Sequence, residues 1–242
     1  MKLELLYHPN SPFTQKVWMW AIEKGVASEI QLRKVVVCPV PYPGWSDNNE
    51  DVGAWNPIAK IPTLVVDLED GSEKFSVHDS KIICDFLESI APSVGLKQAS
   101  NGGKVNSMRW KRESLHRAAD GMQDCEVLLV YEDRIRKPLG LYDEKWFEGQ
   151  RLKIRRGLKL LEDSIKDGTL RLRDGDETGD IVGAEECAAA AALALCDSRG
   201  VEWRDGREEL RKWYEGWAKR KSFKQSRPNV DWRRDAARSV KI

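Results

Sequence analysis

Three short stretches of this chain carry residue types that can do chemistry. The first is Ser11-Pro12-Phe13-Thr14. Serine caps helices, and proline suits a first helical position, where the missing N–H costs nothing. A helix N-terminus presents free N–H groups and favours an anion, including a thiolate. A hydroxyl at Ser11 would donate to a bound sulfur and stabilise its charge without attacking anything. Taking a thiol pKa from about 8.5 to about 6.5 needs roughly 2.7 kcal/mol. One charge-assisted hydrogen bond contributes about 1.5–3 kcal/mol and a helix N-terminus about 0.3–1 kcal/mol, so the two together suffice. Read alone, Ser11 also fits a plain N-cap.

The second stretch is Asn56-Pro57-Ile58-Ala59-Lys60-Ile61-Pro62-Thr63-Leu64. A proline directly before a buried strand cannot donate to the ladder and needs an edge or a turn. A cis Ile61-Pro62 bond would meet that need and leave the Ile61 N–H and C=O free to pair with an extended peptide. Lys60 would then lie near the far carboxylate of such a ligand. Read alone, Pro62 also fits an ordinary trans strand-starter. The third stretch is Asp79-Ser80, opening a helix, where a carboxylate would meet a hydroxyl, helix N–H groups and a favourable dipole. Asp79 would tolerate a ligand that also brings an ammonium group. A simple N-cap is the other reading.

The elements that must position these residues fall into two halves. Leu3 to Tyr7 reads as a buried strand. A helix follows from Pro12, with Val17, Trp20, Ala21 and Lys24 near one face, and Gly25 stops it. Ile30 to Val37 is a β-branched second strand, and Cys38 to Gly53 a long loop. Ile61 to Val66 and Lys74 to Val77 read as a hairpin through Glu69-Asp70-Gly71. A last helix has Ile82, Ile83, Phe86 and Leu87 as its apolar side. This β-α-β then β-β-α order predicts an α/β thioredoxin-like N-terminal domain with a mixed four-stranded sheet, residues 1–90. Residues 91–103, with Pro92, Gly95, Gly102 and Gly103, read as a linker. Residues 104–242 read as an all-α domain with an irregular tail from 222. Its helices are Lys104 to Lys137 (Met108, Leu115, Met122 and Leu129 at heptad spacing), Asp143 to Lys166, Gly183 to Ser198 and Gly206 to Lys221. The third of these is apolar all round and therefore central.

Composition narrows the classes. Charged residues make up 33% of the 242-residue chain, yet the net charge is only +1. That balance lacks the basic footprint of a nucleic-acid binder. Five cysteines at wide spacing and only three histidines argue against a disulfide framework or a metal site. No stretch approaches the roughly 18 apolar residues of a membrane span, and Pro9 cuts off the first apolar run. A soluble cytoplasmic protein is expected.

In order and spacing, the three stretches resemble the glutathione S-transferase superfamily: a small residue before Pro after strand one, N-P-x-x-K-x-P-x-L, and an acidic residue plus Ser opening helix three. The resemblance implies that Ser11 matches the thiolate-stabilising serine of tau-, theta- and zeta-type classes, with Asn10 the alternative sulfur contact. It implies that Ile61 and Pro62 match the backbone and cis-proline that pair with the cysteinyl unit of glutathione. Asp79 and Ser80 match the pair holding the γ-glutamyl end, and Lys60 falls near the glycyl carboxylate. It further implies glutathione as co-substrate, a homodimer, and a second-substrate region near Tyr7, Phe13, Trp110 and His116. Arg109 and Arg112 would favour an acidic substrate there, or simply stand solvated. Trp18, Trp45 and Trp55 would pack at an interface or line an apolar site.

Two departures stand out. S-P-F-T is the omega and glutaredoxin C-P-[FY] pattern with Ser in place of Cys, which removes thiol–disulfide exchange through a protein cysteine. The cap of the central helix is blurred, with Thr178 and Asp180, or Glu185, as candidates. The expected activity is attack of the glutathione thiolate on a small electrophile, a detoxification chemistry. The alternatives are a glutathione-dependent reductase or ether lyase of the same fold, and a non-catalytic binding or scaffold protein.

Overall fold

The computed structural model describes residues 1–40, 46–68, 71–91, 106–171 and 182–226. The expected linker from 92, the turn residues Glu69 and Asp70, Trp45, Thr178, Asp180 and the tail from 227 lie outside the described residues. The chain forms two compact units. The described parts of the first are residues 1–40, 46–68, 71–91 and 221–226, and those of the second are residues 106–171 and 182–220.

The first unit is built on a four-stranded sheet, β1 (Lys2–Tyr7), β2 (Ile30–Lys34), β3 (Thr63–Asp67) and β4 (Lys74–His78), in the order β2-β1-β3-β4. β1 and β2 are parallel, and the other two pairings are antiparallel. Alternation along the strands gives the sheet two apolar faces. On one, Leu6 and Val65 pack with Val35, Val52, Trp55 and Ile61. The other carries the fully buried Leu5, Leu64 and Val66. Helices α1 (Pro12–Glu23) and α3 (Ser80–Ile90) pack together, joined by a Trp20 indole N–H donating to the Cys84 carbonyl at 2.8 Å. α1 ends as expected: Gly25 takes φ 71°, and the Val26 N–H caps the Ala21 carbonyl at 2.9 Å.

Several boundaries differ from expectation for identifiable reasons. β2 stops at Lys34 rather than Val37 because asparagine side chains capture the next amides. Asn48 Oδ1 accepts from Val36 N–H at 2.8 Å, and Asn49 Oδ1 from Cys38 N–H at 3.1 Å. Asn49 then opens a short helix, α2 (Asn49–Gly53), inside the expected loop. β3 begins at Thr63 rather than Ile61, since Pro62 has no N–H for the ladder. On α3 the buried apolar side chains are Ile83, Cys84 and Leu87, whereas Ile82 is exposed.

The second unit comprises α4 (Ser107–Tyr131), α5 (Glu144–Lys166), α6 (Ala184–Ser198) and α7 (Glu208–Trp217). α4 packs against both α5 and α6. Leu115, Met122 and Leu129 are buried at the expected heptad spacing, while Met108 faces outward. After Tyr131 the chain forms a wider turn, Glu132–Arg136, rather than continuing as α-helix to Lys137. The buried Glu132 accepts there from the Asp143 N–H at 2.8 Å. α6 is central, buried from Glu186 to Cys196. Its N-cap is Gly183 and not Glu185. Glu186 Oε2 reaches back to the Gly183 N–H at 2.9 Å, the half of a capping box that a glycine at the cap permits. Glu185 faces Arg112 instead, at 3.7 Å.

The start of the expected irregular tail is ordered. Residues Lys221–Lys224 form α8, which packs on α1 and so belongs to the first unit. All five cysteines are buried and none is in a disulfide.

Candidate functional site

The sheet register brings the three chemical stretches to one rim. Leu6 pairs with Thr63, and Thr63 pairs with His78. The segments after β1, before β3 and after β4 therefore leave the sheet at the same end. On them stand Asn10, Ser11 and Phe13; Lys60, Ile61 and Pro62; and Asp79 and Ser80. Tyr7, the last residue of β1, is buried beneath them.

The first segment is a tight turn. The Ser11 N–H donates to the His8 carbonyl at 2.9 Å, and the exposed Asn10 donates its N–H to His8 Nδ1 at 3.2 Å. That bond makes Nδ1 an acceptor and fixes His8 as neutral with its proton on Nε2. Burial, with Lys34 nearby, holds the His8 pKa below its ordinary value. Ser11 caps α1: its Oγ accepts from the Thr14 N–H at 3.3 Å, and its carbonyl accepts from Gln15 at 3.0 Å. The hydroxyl proton has no acceptor among the described residues, and neither does the Phe13 N–H. The N-terminus of α1 thus offers two donors and the positive end of a dipole.

The second segment is held by Asn56, which is 2% exposed. Its Nδ2 donates to the Lys60 carbonyl at 2.9 Å and to Thr63 Oγ1 at 3.2 Å, while Oδ1 accepts from Ile58. Thr63 Oγ1 donates to the same Lys60 carbonyl at 2.8 Å. This polar knot carries Ala59 at φ 48° and a cis Ile61-Pro62 bond. Among the described residues, neither the Ile61 amide nor its carbonyl has a partner. Lys60 is exposed, with no ion pair among the described residues. Asn56 stands first in the second sequence stretch, where no role was expected of it. Its Asn-Pro pairing was the available signal, since such asparagines bond their own backbone.

At the third segment Asp79 adopts φ 72° and caps α3, its Oδ1 accepting from the Lys81 N–H at 2.9 Å. Ser80 is buried at the first position of the helix. Among the described residues, Ala59 and Asp79 are the non-glycine residues with positive φ. Both flank this rim, and such conformations persist only where surrounding bonds hold them. A carboxylate at Ser80 would meet a helix N-terminus, and the Asp79 carboxylate would meet an ammonium.

Trp110 and His116 lie in the other unit. Trp110 is exposed near the start of α4, with the Arg109 guanidinium 5.4 Å from its ring centroid. His116 is 2% exposed, with Nε2 3.7 Å from the Asp120 carboxylate. Trp55 is half-buried in the apolar cluster behind β1, and Trp18 is half-buried on α1.

No group of three metal-ligating side chains occurs among the described residues, and no described helix is long and apolar enough to cross a membrane.

A mixed βαβ-ββα sheet with a cis-proline rim, followed in the chain by an α-helical unit, defines a thioredoxin-like domain with a helical partner. The profile of the glutathione S-transferase N-terminal domain matches residues 10–90. The uncharacterized GST-like protein YibF of Escherichia coli (strain K12) is 30% identical over 230 residues, covering 93% of this chain and 98% of that protein. On this likeness the chain belongs to the glutathione S-transferase family. The crystal structure of a family member from Pseudomonas fluorescens Pf-5 with bound glutathione is similar, with a TM-score of 0.76 at 28% identity, over 95% of this chain and 100% of that one. A glutathione S-transferase from Methylobacterium radiotolerans, in complex with glutathione sulfonate, shares the fold with a TM-score of 0.71 at 24% identity, over 96% and 97% of the two chains.

Proposed function

We propose that the chain binds glutathione along the sheet rim and activates its thiol for attack on a small electrophile. The observation that carries this reading is the convergence of three complementary segments at one end of the sheet. Glutathione is a tripeptide with a thiol, an ammonium and two carboxylates. The Ile61 backbone suits its cysteinyl unit as a short added strand. Ser80 and the α3 N-terminus suit the γ-glutamyl carboxylate, Asp79 suits the ammonium, and Lys60 suits the glycyl carboxylate. The sulfur then falls to Ser11 and the Phe13 amide, with Asn10 beside them. The Pseudomonas fluorescens relative, crystallised with glutathione, supports the choice of tripeptide.

In this reading the thiol proton leaves to water and the Ser11 hydroxyl donates to the resulting thiolate. A sulfur lone pair forms the new bond to the electrophilic carbon as the leaving group departs with its electron pair. Holding both reactants together removes a further several kcal/mol of barrier. Serine at position 11 supports this chemistry over exchange through a protein cysteine, which needs a sulfur there. Phe13, half-buried at the rim, is proposed to face the second substrate, whereas Tyr7 and His116 are buried side chains. Family membership supports a homodimer working on small electrophiles in the cytoplasm, a detoxification role.

Calorimetric titration with reduced glutathione tests the binding, and conjugation of an activated aryl halide tests the chemistry. Heat of binding, and conjugation lowered at least tenfold by Ser11→Ala, are expected, since a charge-assisted hydrogen bond is worth about 1.5–3 kcal/mol. Absence of any heat with the wild-type chain would overturn the reading.

A further inference from the structure

Ser11 can serve a sulfur only while the first turn of α1 stays in place, and helix ends fray readily. Gln15, one turn into α1, is only 2% exposed. A buried amide is costly unless its groups are bonded. Its Nε2 donates to the Ser226 hydroxyl at 2.9 Å, a contact made across 211 positions of chain. Ser226, itself 2% exposed, donates onward to the Phe223 carbonyl at 2.6 Å. At the other end of α1, the Glu23 carboxylate accepts from the hydroxyl of Ser222, which is 1% exposed. Positions 15 and 23 are about 12 Å apart along a helix. The segment 221–226 therefore runs antiparallel to α1, fastened at both ends. Gln15 also donates its backbone N–H to the Ser11 carbonyl at 3.0 Å. The residue gripped from the far end of the chain is thus the one whose backbone closes the turn carrying Ser11.

We propose that residues 221–226 are a positioning strap for the sulfur end of the rim. Gln15 and Ser226 are positioning residues that fix the first turn of α1 and aim the Ser11 hydroxyl and Phe13 N–H. The inference rests on the reading of the rim as a glutathione site. It predicts a separation of effects. The γ-glutamyl and glycyl contacts stand on other segments, so loosening the strap leaves capture of the tripeptide largely intact. Stabilisation of the sulfur charge depends on donor geometry and is weakened.

The test compares Ser226→Ala with Ser226→Thr in the full chain, with Gln15→Leu removing the same bond from its other side should Ser226→Ala fold poorly. Three readouts are taken: amide exchange at residues 13–16, titration of the bound glutathione thiol by thiolate absorbance, and kcat and KM with an activated aryl halide. Ser226→Ala is expected to speed exchange in that first turn and to lower kcat roughly two- to tenfold, the fold-change of one lost neutral hydrogen bond. The bound thiol should titrate roughly 0.3 to 1 pH unit higher, the same free energy read as protonation. The KM for glutathione should stay near wild type, and Ser226→Thr should restore all three. A folded Ser226→Ala chain with wild-type exchange and titration would overturn the strap. Should the wild-type chain itself never ionise glutathione, the rim reading fails while exchange still decides the strap: faster exchange at residues 13–16 supports it and unchanged exchange refutes it.

Discussion

Replacing Glu126 by glutamine should make the protein more stable at neutral pH, and by an amount that depends on pH. Glu126 lies on α4 against α6, 2% exposed. Burial pushes its carboxyl up from 4.5 to about 8, with the Cys196 hydrogen bond and Arg199 pulling less strongly the other way. The Cys196 thiol donates to Oε1 at 2.7 Å, which leaves Oε2 to carry the acid's own proton. The folded chain holds that proton more tightly than the unfolded chain does. Its contribution is therefore full below about pH 4.5 and is lost as pH rises through about 8. The slope between those limits is about 1.4 kcal/mol per pH unit, so at pH 7 about 3 kcal/mol has gone. Glutamine keeps the shape and the acceptor for Cys196 but does not titrate. Urea denaturation followed by tryptophan fluorescence, at several values between pH 4.5 and 8.5, measures the difference. Glu126→Gln should be more stable by up to about 3 kcal/mol at pH 7, with the gain shrinking towards zero near pH 4.5. A difference that stays constant across this range, or a variant less stable at every pH, would refute the reasoning.

Other predictions follow from the same geometry. Asn56→Ala removes three side-chain bonds from the turn before Pro62 and should cost about 2–3 kcal/mol in denaturation, at about 1 kcal/mol each. The same variant should bind glutathione more weakly in calorimetry. Ser80→Ala and Lys60→Ala should each raise the glutathione dissociation constant while leaving the pKa of the bound thiol unchanged, because they meet the ends of the tripeptide and not its sulfur. Gly157→Ala on α5 would drive a methyl into the Cγ and Sδ of Met122 on α4. Denaturation should show a net loss of about 1–2 kcal/mol, overpacking outweighing the gain in helix propensity, and trimming Met122 to alanine in the same chain should cancel much of that overpacking.

Much of this arrangement is legible in the chain itself where a feature is local. Ser11-Pro12 announces a helix start, Gly25 its end, and the apolar run after Gly183 a central helix, because each depends on neighbours within a turn. The mixed four-stranded sheet follows from the order of short apolar runs. What escapes is set by distant partners. The short β2 depends on Asn48 and Asn49 reaching back across more than ten residues. Ile82 is apolar yet exposed, since the register of α3 on α1 turns Ile83 and Cys84 inward instead. The part Glu186 plays at the start of α6 was obscured by two adjacent glutamates, of which only Glu186 accepts from the Gly183 N–H. The role of Asn56 was hidden because its bonds go to backbone carbonyl and hydroxyl groups that face it only once Pro62 has turned the chain. Ser222 and Ser226, in a polar stretch without periodicity, gave no sign of packing on α1.

The most direct test of the account is the ultraviolet absorbance of glutathione thiolate bound to the wild-type chain and to Ser11→Ala, followed from pH 5 to 9. The wild-type complex should show thiolate already formed at neutral pH, with a midpoint about two units below the free thiol, and Ser11→Ala should move that midpoint back up by one unit or more. A wild-type midpoint at the value of free glutathione, or one that Ser11→Ala leaves in place, would contradict it.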